Sequence, residues 1–110
     1  EGGSGGALAL ACGDEVWMLE NSMYSVLSPE GFASILWKDS RRSDEACEVM
    51  QLTPASLLKN DVIEGIIPEH RSHRQTIAEI AKVLDERLQK LEKLTPEQLL
   101  SKRHSRFRKF

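Results

Sequence analysis

The chain has 110 residues, 40% of them hydrophobic and 29% charged, with a formal net charge of −2. That describes a folded piece of at most one domain, not a disordered polymer, and no apolar run approaches the ~20 residues of a spanning helix. All 17 acids precede residue 101 together with 10 of the basic residues, so residues 1–100 carry −7 and the last ten carry +5.

The opening Glu1-Gly2-Gly3-Ser4-Gly5-Gly6 has a flexible linker's composition, but it leads directly into Ala7-Leu8-Ala9-Leu10-Ala11-Cys12, a run of good helix formers that Gly13 and Asp14 stop. The reading is a glycine turn opening a short, closely packed helix. Two short strands follow, Glu15–Leu19 and Met23–Leu27, separated by the turn-forming Glu20-Asn21-Ser22. Ser28-Pro29-Glu30-Gly31 starts a helix: serine caps it, proline fits the first position because its missing N–H is not needed there, and glutamate suits the positive end. This helix runs to about Lys38. Phe32, Ile35 and Leu36 fall at i, i+3 and i+4 and predict a buried face beside Trp37.

A polar segment, Asp39 to Ser43, leads through a cap at Ser43 or Asp44 into a short helix ending near Met50. Thr53-Pro54 begins the next, stopped by Asn60-Asp61. Val62-Ile63-Glu64-Gly65-Ile66-Ile67-Pro68 is rich in β-branched residues and closed by proline, as a strand would be. Ile77, Ile80, Ala81, Val83, Leu84, Leu88 and Leu91 mark an apolar stripe on a long helix from about Ser72 to Leu94, and Thr95-Pro96-Glu97-Gln98 caps a last helix carrying the basic tail. Two apolar sets, Val62, Ile63, Ile66 and Ile67, and Leu84, Leu88 and Leu91, are expected to need partners outside the chain.

Side-chain catalysis has few candidates. Read from Gly3-Ser4-Gly5, the spacing of a nucleophile elbow is not met, which predicts no nucleophilic role for Ser4. His70 and His73 sit in an Arg-flanked polar stretch that reads as a solvated loop, not a metal site. Cys12 and Cys47 lack a neighbouring cation to lower a thiol pKa, and core packing is expected for both. Their small number suits a reduced, cytoplasmic setting better than a disulfide framework. A phosphate-binding loop needs a lysine that is missing after the glycines. The basic tail mixes cations with Phe107 and Phe110, yet cations also offset a helix C-terminal dipole and the body at −7 repels phosphate, so nucleic acid is not the expected partner. What remains is the glycine cluster. A glycine turn opening a helix leaves backbone N–H groups unpaired where the dipole is positive, which suits an anion or an oxyanion.

Glu1-Gly2-Gly3-Ser4-Gly5-Gly6-Ala7-Leu8-Ala9, Met18-Leu19-Glu20-Asn21, Tyr24-Ser25-Val26-Leu27-Ser28-Pro29-Glu30-Gly31, Ala33-Ser34-Ile35-Leu36-Trp37-Lys38 and Ile66-Ile67-Pro68-Glu69 resemble, in order and spacing, the carboxyltransferase alpha subunit of bacterial acetyl-CoA carboxylase. Arg106-Phe107-Arg108 is similar to that subunit's ending. The resemblance implies an α/β fold, the C-terminal part of a crotonase-like spiral over residues 1–69, with a helical C-terminal extension over 70–110. It implies a beta subunit of the same fold, a biotin carrier protein and biotin carboxylase as partners, and carboxybiotin and acetyl-CoA as carboxyl donor and acceptor, with no metal held by this chain. Malonyl-CoA would be the product, in fatty acid biosynthesis. Both reacting partners place negative charge on an oxygen, so two pairs of backbone donors are required. Carried onto this sequence, Gly5, Gly6 and Ala7 would form one pair, with Gly6 and Ala7 facing the biotin ureido oxygen and Ser28–Gly31 bracing the turn. Two departures stand out. His70-Arg71-Ser72-His73-Arg74 replaces the glycine-rich loop ending in Ala-His that usually follows Pro68-Glu69, and the family's subunit is considerably longer, with an N-terminal half before the glycine turn. An alternative expectation is a non-catalytic assembly piece of the same complex.

Overall fold

The computed structural model describes all 110 residues, as mixed helix and small two-stranded sheets with a helical C-terminal part. The chain divides into two compact units, Glu1–Ile66 and Ile67–Phe110.

In the first unit, β1 (Gly2–Gly3) leads into α1 (Ser4–Ala11), then β2 (Trp17–Leu19), β3 (Tyr24–Ser25), α2 (Pro29–Trp37), a 3₁₀ turn (Ser40–Arg42), α3 (Ser43–Met50), α4 (Pro54–Lys59) and β4, which begins at Gly65 and ends at Ile67. The two central strands, read as neighbours across a turn, do not pair with each other. β3 lies parallel to β1, with Gly2 opposite Tyr24 and Gly3 opposite Ser25, and β2 pairs with β4. A parallel pair needs a crossover, and α1 with β2 provides it here.

The core of this unit is small: Val16, Met18, Leu57 and Ile63, with Tyr24, Val62 and Ile66 packed against it. No large side chain falls below 2% exposure. Residues 16 and 64 are clamped twice. The Glu64 N–H donates to the Val16 carbonyl at 2.9 Å, and the Val16 N–H donates to Glu64 Oε2 at 2.6 Å. Beside the clamp, Gly65 lies under the Trp17 ring so closely that a Cβ there would stand 2.3–2.6 Å from three ring atoms. Trp17 Nε1 donates to Glu15 Oε2 at 3.1 Å, which restrains the ring.

Three expectations are corrected here. Ile63 and Ile67 are buried, at 3% and 6% exposure, so part of the 62–67 set belongs to the protein's own interior. On α2 the expected stripe is not the buried one: Ala33 is buried while Ile35 and Leu36 are more than half exposed, and α2 packs against the 3₁₀ turn and α3 with Trp37 meeting Arg42. The Arg42 guanidinium lies 4.3 Å from the centre of the Trp37 ring, and the Phe32 and Trp37 rings meet edge to face at 5.8 Å. Cys12 and Cys47 are exposed free thiols, not core residues.

Asp39 takes the capping role ahead of the 3₁₀ turn, accepting from the Arg41 N–H at 3.1 Å, and α3 starts at Ser43 without a side-chain cap. The Arg41 guanidinium hydrogen-bonded to Asp39 holds that carboxyl below the usual carboxylate range, and Arg42 does the same to Glu45. All four groups face solvent, where such pairs contribute little.

The second unit holds α5 (His73–Leu91) and α6 (Pro96–Phe107). Thr76 Oγ1 accepts the His70 N–H at 2.9 Å and ties the preceding loop to the first turn of α5. The start of α6 is a capping box, in which Thr95 Oγ1 accepts the Gln98 N–H at 3.3 Å and Gln98 Oε1 accepts the Thr95 N–H at 2.9 Å. Ile77, Leu84 and Leu88 remain 54–64% exposed along α5. No helix is long and apolar enough to cross a membrane.

Candidate functional site

Glycine lets two backbones and a ring share a small space at the N-terminal strand. The Gly2 N–H donates to the Met23 carbonyl at 2.9 Å, and a Cβ on Gly2 would stand 3.1 Å from the Tyr24 ring. Tyr24 Oη then donates to the Ala7 carbonyl at 2.7 Å, pinning α1 to β3. Between strand and helix the chain turns at Ser4, which has a φ of +53°. The helix therefore begins three residues earlier than the composition of Ala7–Cys12 predicts, and Gly5 and Gly6 form part of its first turn instead of a turn before it.

That shift decides which donors are spare. A helix gives its first N–H groups no intrahelical acceptor, and with Gly3 as the cap residue the first carbonyl is taken by Ala7, leaving Ser4, Gly5 and Gly6 unsupplied by the helix. Gly3 has no side chain to cap them, and the first turn contains no carboxylate. Gly5 and Gly6 are exposed, with no atom within 4 Å of where a Cβ would be. Ala7 has 0% exposure.

Beside this helix start lies an open cavity of about 530 Å³. Gly3 and Ser4 line it from the α1 side, Ser25, Leu27 and Ser28 from the strand and helix opposite, and Leu52 contributes an apolar wall. Gly5, Gly6 and Ala7 are not in the lining; Gly5 and Gly6 stand next to it on open surface. The start of α2, read as a brace, faces the same cavity through Ser28, Pro29 and Gly31. Its donors are partly used: Ser28 Oγ accepts the Gly31 N–H at 3.1 Å.

The spacing around Ser4 is corrected here. Counted from Gly2, the chain does carry the spacing G-x-S-x-G, as Gly2-Gly3-Ser4-Gly5-Gly6, and the strand, positive φ and helix around it form an elbow. The pattern is hidden when the count starts at Gly3. A nucleophile would also need a base, and residues 1–66 contain no histidine. His70 pairs instead with Glu79 at 3.9 Å in the second unit, and no group of three His, Cys, Asp or Glu side chains is placed to hold a metal ion.

The helix start thus combines spare backbone N–H groups with few side chains, Ser4 at its first position and Glu1 in the lining of the adjacent cavity. Comparison with known proteins gives the family. Residues 1–110 match the family described as acetyl co-enzyme A carboxylase carboxyltransferase-like. The full chain is 55% identical to "Acetyl-coenzyme A carboxylase carboxyl transferase subunit alpha" of Streptococcus pyogenes serotype M12 (strain MGAS2096), and 54% identical to the proteins of that name from Streptococcus sanguinis (strain SK36) and Streptococcus thermophilus (strain ATCC BAA-491 / LMD-9). In each case it spans 43% of the relative's length. The chain belongs to the acetyl-CoA carboxylase carboxyltransferase family.

Proposed function

We propose that this chain forms the biotin-facing part of a carboxyltransferase centre, within a subunit that moves a carboxyl group from carboxybiotin on a carrier protein to acetyl-CoA and yields malonyl-CoA. Residues 1–69 are then the C-terminal part of a crotonase-like core and residues 70–110 its helical extension. A beta subunit completes the centre, and biotin carboxylase recharges the carrier in the same soluble, cytoplasmic complex. Bound carboxybiotin supplies the carboxyl group and the atom that takes the proton from the acetyl methyl group.

The residues present fit such a group. Gly5 and Gly6 offer N–H donors that no side chain or carbonyl of their own helix uses, in space left open by the missing Cβ atoms. Aimed at an oxygen that gains negative charge, a donor pair lowers the barrier without a proton transfer, and the helix dipole adds to it. The burial of Ala7 and its bond to Tyr24 support a packing role for that residue, so the donors reduce to Gly5 and Gly6. The open, uncapped start of α1 is the observation that carries this reading.

Gly6→Val in the full-length subunit, assembled with its partner, tests it. The variant is expected to assemble normally and to lose malonyl-CoA formation by ~10²-fold or more, the scale of a lost oxyanion donor. Turnover at the unmodified rate would remove the α1 start from the mechanism.

A further inference from the structure

We infer that α5 pairs side by side with α5 of a second copy of this chain, as a short parallel coiled coil; this stands apart from the function proposed above. α5 has 19 residues, and not one of them is buried. A helix gains little stability in water from its own hydrogen bonds and depends on packing of its apolar face. Here that face is largely unspent, with Ile77, Leu84 and Leu88 54–64% exposed.

The apolar side chains are not scattered. Ile77, Ala81, Leu84, Leu88 and Leu91 follow one another at spacings of four, three, four and three, which is the a/d seam of a heptad with Ala81 and Leu88 at a and Ile77, Leu84 and Leu91 at d. The charges beside the seam specify the occupant. Asp85 and Glu92 hold e positions and Arg87 a g position, and Glu92, the C-cap residue, keeps helical φ and ψ. In a parallel pair each g residue meets the e residue five positions on in the other chain, so Arg87 reaches Glu92 of the second copy, and the two-fold axis makes the contact twice. In an antiparallel pair e faces e and g faces g, which takes the acid away from Arg87 and sets Asp85 and Glu92 against each other or Ala78. One helix thus carries both halves of a cross-chain pair, the self-complementarity that a two-fold interface requires. Arg87 also interacts within its own chain, and its five donors serve both. Away from the seam, Lys82, Glu86 and Lys90 alternate in sign, unlike the basic face of a helix that lies on a membrane.

The test uses the full-length subunit assembled with its partner, in a Cys12→Ser, Cys47→Ser background because both thiols are exposed. Ala81→Cys places a thiol at an a position, where the two copies of one residue stand opposite each other in a parallel pair, and mild oxidation should join two copies through a disulfide. Glu86→Cys, on the outer face, controls for chance collision and should cross-link far more slowly. Added to Ala81→Cys, Arg87→Glu brings acid against acid and Glu92→Arg brings base against base, so either should slow cross-linking about fivefold or more. Complexes assembled from an equimolar mixture of these two variants, one of them tagged, should recover the rate as a mixed dimer, because each chain supplies the charge the other lacks. Residues 87 and 92 are not neighbours on one helix, so repair within a chain cannot produce that recovery. Absence of the Ala81→Cys disulfide, equal rates for Ala81→Cys and Glu86→Cys, or a mixture no faster than either variant alone overturns the inference and leaves the seam to another element of the complex.

Discussion

Two helices, α1 and α2, begin at the same cavity and are built in opposite ways. α2 follows the rules for a self-sufficient start: Ser28 accepts the Gly31 N–H, Pro29 occupies the first turn without a donor to satisfy, and Glu30 answers the dipole. α1 follows none of them. Its cap residue is Gly3, its first turn holds no acid, and Ser4, Gly5 and Gly6 add no cap of their own. A cap uses up the donors it stabilises, so a helix start that must serve an outside oxygen has to forgo one. On the function proposed above, the difference between the two starts is one of purpose: α2 holds the frame and α1 remains available.

The strongest way to break this contrast is the Gly6→Val exchange already described, with its expected loss of ~10²-fold or more in rate and no loss of assembly. Next comes the frame beneath both starts. Gly65→Ala forces a methyl into the Trp17 ring and should cost about 2 kcal/mol in urea denaturation of the chain, with the tryptophan emission shifted. At α2, Ser28→Ala should lower stability by about 1 kcal/mol, read by the same denaturation, and should affect turnover far less than Gly6→Val does. The smallest effect sharpens the contrast most. Gly5 has an ordinary φ and open space around it, so Gly5→Ala should stabilise the chain by about 0.5–1 kcal/mol through helix propensity while lowering the rate of the assembled enzyme. A substitution that helps folding and harms turnover is hard to reconcile with a merely structural glycine.

Helix starts were the most legible part of the sequence because their chemistry is local. Ser28, Thr53 and Thr95 all accept the expected N–H, and the Thr95–Gln98 box forms as read. Strand pairing was not legible. Nothing within Trp17–Leu19 or Tyr24–Ser25 says that each pairs with a distant strand and not with its neighbour, since partner choice depends on where α1 carries the chain. Burial failed for a related reason: Ile35 and Ile63 look alike in sequence, and only the packing of other elements makes one exposed and the other enclosed. At the candidate site, the glycine cluster was legible, but the helix start at Ser4, and with it which backbone donors the helix leaves spare, depended on three residues of register that propensity could not supply.

The double clamp between Val16 and Glu64 also has a temporal side. Its partners are 48 positions apart, and Ile63, next to it, is the most enclosed member of the core. The capped helix starts can form early from neighbouring residues, whereas β2 gains its partner and the core its closing side chain only once the chain has been made and folded past Glu64. The β2–β4 pair and the core thus wait on a loop closure spanning much of the first unit, whereas the glycine elbow, tied to Met23 and Tyr24, is held by partners about twenty positions away.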